Sequence, residues 1–215
     1  ATPVAPSGQT GGLSSDSDSG SNNADGITNN KTPSYSGKAA AGSTVEVTIN
    51  GKTYTTTADA NGNYTVKIPA GDALPDGTYT PKIKVTNANG TTTVDGTPFT
   101  IDTTTTGTGS LTHDAANDSG SSLTDGITTN TKPSFSGTGE PGATVKIVVD
   151  GQTLTTVVGA DGKWVATGPY TGNGLTGGQH AVVITFTDVA GNTSTINADP
   201  VFISTGFGNI TLSVD

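Results

Sequence analysis

The chain repeats itself at an offset of 100 residues, and this limits its possible folds more than any other feature. Asp18-Ser-Gly20 returns as Asp118-Ser-Gly120, Asp25-Gly-Ile-Thr28 as Asp125-Gly-Ile-Thr128, and Pro33-Ser-Tyr-Ser-Gly37 as Pro133-Ser-Phe-Ser-Gly137. The offset holds through Gly62 and Gly162, then grows to 101 (Gly90 to Gly191) and 102 (Ile101 to Ile203), as small loop insertions produce. Such a tandem duplication implies two similar modules of about 100 residues. The expected division is a flexible leader over 1–12, a first module over 13–104, a linker over 105–110, a second module over 111–206, and a tail over 207–215 that reads as the start of a further module.

Each module reads as all-β. Val45, Val47 and Ile49 alternate with Glu46 and Thr48 before Asn50-Gly51, and Val145, Ile147 and Val149 repeat the pattern before Asp150-Gly151. An alternating apolar run closed by Asn-Gly or Asp-Gly predicts a β-hairpin. Second turns at Asn61-Gly62 and Asp161-Gly162 lead into Tyr64-Thr-Val66 and Trp164-Val-Ala166. Each module then holds about seven short strands with turns roughly every 8–12 residues, which predicts two tandem immunoglobulin-like β-sandwiches. The alternation assigns Tyr35, Val45, Val47, Ile49, Tyr64, Ile83, Val85 and Ile101 to the first core. Phe135, Val145, Ile147, Val149, Trp164, Ile184, Phe186 and Ile203 go to the second.

The cores are thin, because only 30% of the 215 residues are hydrophobic. Something besides apolar burial is therefore expected to stabilise them. Cysteine is absent, which removes disulfides and thiolate metal sites. No apolar run approaches the ~18 residues of a membrane helix. No signal peptide opens the sequence, which reads as a mature chain or a fragment. A net charge of -9 with a pI near 4.4 argues against nucleic acid and anionic membranes as partners, and favours bound cations.

The acids cluster around the junction of the modules. Asp102 closes the first module, and Asp114, Asp118 and Asp125 open the second, with Lys132 the nearest cation in sequence. In an immunoglobulin-type sandwich a late hairpin loop carrying Asp188 can lie at the same end as the opening segment. Ca²⁺ takes six to eight oxygens from such groups at about 2.3–2.6 Å, so these five acids are candidate ligands of an ion that stiffens the joint. Asp16, Asp18 and Asp25 are the first-module equivalents. The other reading is that these Asp, Asn, Ser and Gly residues only form turns and Asx caps. Asp59-Ala-Asn-Gly-Asn63 reads as a hairpin turn, since its glycine and acids fall at the wrong positions for an EF-hand loop.

Ser17-Asp-Ser-Gly20, Asp25-Gly-Ile-Thr28, Pro33-Ser-Tyr-Ser-Gly37, Gly42-Ser-Thr-Val-Glu-Val47, Asp59-Ala-Asn-Gly-Asn-Tyr64 and Asp76-Gly-Thr-Tyr79 occur in that order. Together with Thr187-Asp-Val-Ala-Gly-Asn192, they make the chain resemble the bacterial Ig-like repeats of giant calcium-dependent repeats-in-toxin adhesins. The resemblance runs from Leu13 to Thr205. It implies secreted, surface-exposed, monomeric tandem sandwiches that bind Ca²⁺ at or near their junctions. Their partners would be neighbouring repeats, and they would hold a ligand-binding tip away from the cell in adhesion and biofilm formation.

The alternative is a ligand-binding module for a glycan, a peptide or ice. Its candidate surfaces are the Thr53, Thr55 and Thr57 row and the Thr171–Gly178 loop. No enzyme is expected: there is no Ser/His/Asp pattern or phosphate loop, and the paired acids sit in turn-like segments that suit a metal better than a sugar cleft. His113 reads as a solvated loop residue and His180 as a core or strand-end residue. Lys67, Lys82, Lys84 and Lys146 fall on the outward phase of their strands, which rules out a buried Lys–Asn cross-link.

Overall fold

The computed structural model describes residues 6–205. The expected tail over 207–215 and the first five residues of the expected leader lie outside these. The chain divides into two compact units, one of Ala1–Thr104 with Val189–Asn192, the other of Thr105–Asp188 with Thr193–Asp215.

The first unit is built from β1 (Thr10–Leu13), β2 (Ile27–Thr28), β3 (Ser34–Lys38), β4 (Thr44–Ile49), β5 (Lys52–Thr57), β6 (Asn63–Lys67), β7 (Gly77–Tyr79), β8 (Lys82–Asn87), β9 (Gly90–Asp95) and β10 (Phe99–Ile101). They pair in the orders β1-β3-β6, β2-β10-β7 and β5-β4-β8-β9. The second unit has β11 (Gly107–Leu111), β12 (Ile127–Thr128), β13 (Phe135–Gly139), β14 (Thr144–Val149), β15 (Gln152–Val157), β16 (Lys163–Ala166), β17 (Gly178–Thr187) and β18 (Thr193–Ile203). Their orders are β11-β13-β16 and β12-β18-β17-β14-β15. Both units are immunoglobulin-like sandwiches, as the strand periodicity predicts.

The two copies differ in strand continuity for a local reason. Pro81 separates β7 from β8, since proline donates no N–H to a ladder. Val182 stands at the equivalent place, and β17 runs through. Asn50 and Asp150 both take a left-handed backbone, at φ 50° and 47°, ahead of Gly51 and Gly151. This is the hairpin turn that their sequences predict.

All sixteen expected core residues are buried. Period-two alternation alone is enough to orient them, because successive strand side chains point to opposite faces. Lys67, Lys82, Lys84 and Lys146 are exposed. The strand reading fell short at the openings of the units. Residues 10–12 and 107–110, taken as part of the leader and linker for their Gly, Ser and Thr content, belong to β1 and β11. The glycines are what permits this. A Cβ on Gly109 would meet the Trp164 ring and Ile184, and one on Gly11 would meet the hydroxyl of Tyr64 and the ring of Tyr35. Large core rings thus lie directly over bare backbone. The Trp164 indole N–H donates to Thr108 O at 3.1 Å, and the Tyr64 hydroxyl donates to Thr10 O at 2.7 Å. In each unit, one aromatic hydroxyl or N–H pins the opening strand to the core.

Candidate functional site

Each opening segment folds around one buried aspartate. In the first unit Ser17 and Asp18 both donate their N–H to Ser14 O, at 2.8 and 3.0 Å. This tight turn leaves Asp18 buried, with its Oδ2 accepting the Gly26 N–H at 3.0 Å. Its Oδ1 is buried with no hydrogen-bond partner. Burial pushes the Asp18 carboxyl above its ordinary value; the Gly26 N–H opposes this and the Asp25 carboxylate reinforces it.

The second unit repeats the turn, with two more residues between it and the opening strand. Asn117 and Asp118 donate to Asp114 O at 3.1 and 2.7 Å. Asp118 is wholly buried. Its Oδ2 accepts the Gly126 N–H at 3.3 Å and lies 3.3 Å from His113 Nδ1, while its Oδ1 again has no partner. Asn117 Oδ1 accepts the Ser134 N–H at 2.6 Å, as Ser17 Oγ accepts that of Ser34 at 2.9 Å. Asn117 therefore serves the backbone. So does one oxygen of Asp114, which accepts the N–H groups of Ala116 and Asn117 at 2.9 Å. Asp25 and Asp125 each accept the N–H two residues on, from Ile27 at 2.9 Å and Ile127 at 3.1 Å. Asp16 is exposed.

Asp102 follows β10. Its N–H donates to Thr28 O at 2.9 Å and its Oδ1 accepts the Thr104 N–H at 3.3 Å. Ser204 makes the same backbone bond to Thr128 O at 2.8 Å, which fixes it as the Asp102 equivalent.

Asp188, at the end of β17, is 6% exposed. Within the second unit its carboxylate and that of Glu140 offer oxygens within 4.8 Å of one another. Glu140 also accepts the Thr106 N–H at 3.1 Å. Among the described residues, neither Asp16, Asp18 and Asp25 nor Asp114, Asp118 and Asp125 bring three carboxylate oxygens within 4.8 Å of one another. Glu140 is the candidate site residue that sequence reasoning missed. The signal was present: Glu140-Pro-Gly stands where the first copy has Ala40-Ala-Gly, and Asp188 where it has Asn87. The strand registers confirm both equivalences, since Thr44 pairs with Thr86 as Thr144 pairs with Thr187. The second copy carries both acids and the first carries neither.

The other singled-out groups are accounted for locally. Asp59 Oδ1 accepts the N–H groups of Asn61 and Asn63 at 2.8 Å, a closed hairpin turn. His180 lies 3.4 Å from Asp150 through Nδ1 and 2.7 Å from Thr176 O through Nε2. The Thr171–Gly178 loop is anchored by buried Leu175 and by Thr171, whose N–H and hydroxyl donate to Gln152 Oε1 at 2.9 and 2.8 Å.

Four surface carboxyls are held below their ordinary value of 3.8: Asp59 by the Asn63 N–H, Asp72 by the Lys52 ammonium, Asp76 by the Thr103 hydroxyl and Asp150 by the Thr176 N–H. Groups depressed on folding stabilise the fold above the unfolded value, and that contribution is lost as pH falls through the folded values. Asp18, raised on folding, acts with the opposite sign. The melting temperature, followed by circular dichroism, is therefore expected to fall as pH drops below about 4. Asp18→Asn should steepen the fall by removing an opposing group. A melting temperature that rises on acidification would contradict the assignment.

A family model of the bacterial Ig-like domain matches residues 5–103 and 105–205. Comparison with curated proteins finds no match. Among solved structures, the chain is similar to a "Ca2+-stabilized adhesin" that "helps an Antarctic bacterium reach out and bind ice". The identity is 26%, with coverage of 94% of this chain and 49% of that one and a TM-score of 0.46. It is also similar to a "1.5-MDa bacterial ice-binding adhesin" (25% identity, 91% and 63% covered, TM-score 0.43). A third is a "tetra-tandem repeat in extending region of large adhesion protein" (23% identity, 93% and 50% covered, TM-score 0.40). The chain thus spans between about half and two thirds of the length of these structures.

Proposed function

Because the chain belongs to the bacterial Ig-like domain family, in two tandem copies, we propose that it forms structural extender modules of a large bacterial cell-surface adhesin, made rigid by Ca²⁺ where the modules join. The observation that carries this reading is the Glu140–Asp188 pair. Two carboxylates within 4.8 Å repel one another, and the low exposure of Asp188 limits screening by water. A hard divalent cation turns that repulsion into attraction. Both acids are missing from the first copy, so they behave as one device.

Asp102 supplies a further carboxylate from the end of the preceding module. The buried, unpartnered Oδ1 atoms of Asp18 and Asp118 fit a cation better than a plain turn, in which both oxygens would be satisfied. Asp114, Asp125, Asp16 and Asp25 each keep one oxygen that no backbone N–H uses. The reading gives the chain no catalysis and no nucleic-acid partner. It makes the chain a monomer whose partners are its neighbouring repeats. Among the described residues no helix is long and apolar enough to cross a membrane.

Calorimetric titration with CaCl2 tests this. The wild-type chain should take up calcium, and Glu140→Ala with Asp188→Asn should lose at least one site. An ion held only by the folded state adds about 2.7 kcal/mol per site at a hundredfold excess over its dissociation constant. X-ray scattering should show a longer, stiffer particle in calcium than in chelator. Identical heats for wild type and the double variant, with equal dimensions in both buffers, would end the calcium reading.

A further inference from the structure

The second unit has a cleft of about 440 Å³ whose counterpart in the first unit is smaller and differently lined. One wall is apolar, formed by Leu111, Ile127, Pro200 and Phe202. Ile127 and Phe202 are 43% and 44% exposed and together form an apolar patch at the cleft. They sit side by side in the parallel β12–β18 pair, and Gln179 faces Phe202 from β17. Asp125 and Asp199 supply two exposed carboxylates, and no lysine lines the cleft.

A β-bulge puts Asp199 there. His180 pairs with Val201 and Val182 with Ala198, so Ala181 alone opposes both Asp199 and Pro200. Bulges re-aim side chains, and they recur beside functional sites. The first copy shares the one-residue slip, since Tyr79 pairs with Phe99 and Lys82 with Asp95, but it lacks the chemistry. Thr97 stands for Asp199 and Thr100 for Phe202, and His113 falls in a two-residue insertion after Leu111. Three changes converge on one cleft, while the core positions around it keep their hydrophobic character.

We propose that this cleft binds a basic polypeptide segment, seating an arginine or lysine head group against Asp125 and Asp199 and its aliphatic stem against Phe202 and Ile127. A cation is what two unneutralised carboxylates attract, and an aromatic face beside them adds cation–π attraction. The apolar wall suits the methylene stem of such a side chain. The proposal goes beyond the extender role and does not use Glu140 or Asp188. It does share Asp125 with the calcium reading, so its test is run in millimolar CaCl2 throughout.

The test is a titration of the ¹⁵N-labelled chain, followed by NMR, with blocked Ala-Arg-Leu-Arg-Ala. Blocked Ala-Glu-Leu-Glu-Ala and maltose serve as acidic and neutral probes. Saturable shifts are expected at the amides of Leu111, Gly126, Ile127, Gln179 and Phe202, with the basic peptide alone. Asp199→Thr with Phe202→Thr, which installs the first copy's residues at exposed positions, should weaken binding about tenfold. The proposal is overturned if maltose or the acidic peptide moves the same amides as strongly. It is equally overturned if Gly12, Leu13 and Thr97 of the first cleft respond alike, or if the double variant binds unchanged.

Discussion

Gly107→Gln should destabilise the second sandwich by about 1–3 kcal/mol, the usual range for overpacking a closed core. A Cβ at Gly107 would run into the ring of Phe186, which is itself fully buried. Phe186→Val alone should cost about 2 kcal/mol, from lost burial and the cavity left behind. The double variant should cost less than the sum of the two, because the first copy already uses that combination. Gln9 stands at the Gly107 position, as the pairing of Gly11 with Gly37 and of Gly109 with Gly137 fixes, and Val85 stands at the Phe186 position. The expected coupling is about 1 kcal/mol or more, as is usual for residues in contact. Trp164 is the chain's single tryptophan and lies in the second core, so its fluorescence during urea unfolding reports on that sandwich alone. Additive effects would mean that the two sites do not share one space.

At the same locus in the first sandwich, Gln9→Leu is expected to raise stability by about 1–3 kcal/mol, the cost of a buried amide left without partners. Gln9 is 8% exposed, and both its Oε1 and Nε2 are buried with no hydrogen bond. Leucine keeps a similar volume and removes the polar atoms. The measurement is the unfolding transition of the first sandwich by circular dichroism, with Trp164 fluorescence showing an unmoved second transition. A drop in stability would mean that the amide is satisfied in solution, for instance by bound water.

The first copy thus answers a volume problem with a polar side chain where the second uses an aromatic ring over glycine. The difference is visible in the sequence only as Gln9 against Gly107 and Val85 against Phe186. Nothing in either local pattern links the two positions, because Gly107 and Phe186 belong to strands in different sheets and Gln9 lies just ahead of β1. Glu140 was hidden for the same reason. It lies after β13 and Asp188 after β17, nearly fifty positions apart, and only the fold brings their carboxylates within 4.8 Å. The bulge at Asp199 was equally illegible, since it exists only as a mismatch between two strand registers.

The sequence by itself determined the duplication, the sandwich class and the inward face of nearly every strand. Those properties rest on period-two alternation and on turn residues whose backbone preferences act over a few positions. Tertiary structure alone decided which distant side chains share a space: rings laid over the glycines of β1 and β11, two acids paired across loops, an aspartate turned into a cleft. Such meetings depend on how sheets stack and slip past one another, and no run of neighbouring residues encodes that distance.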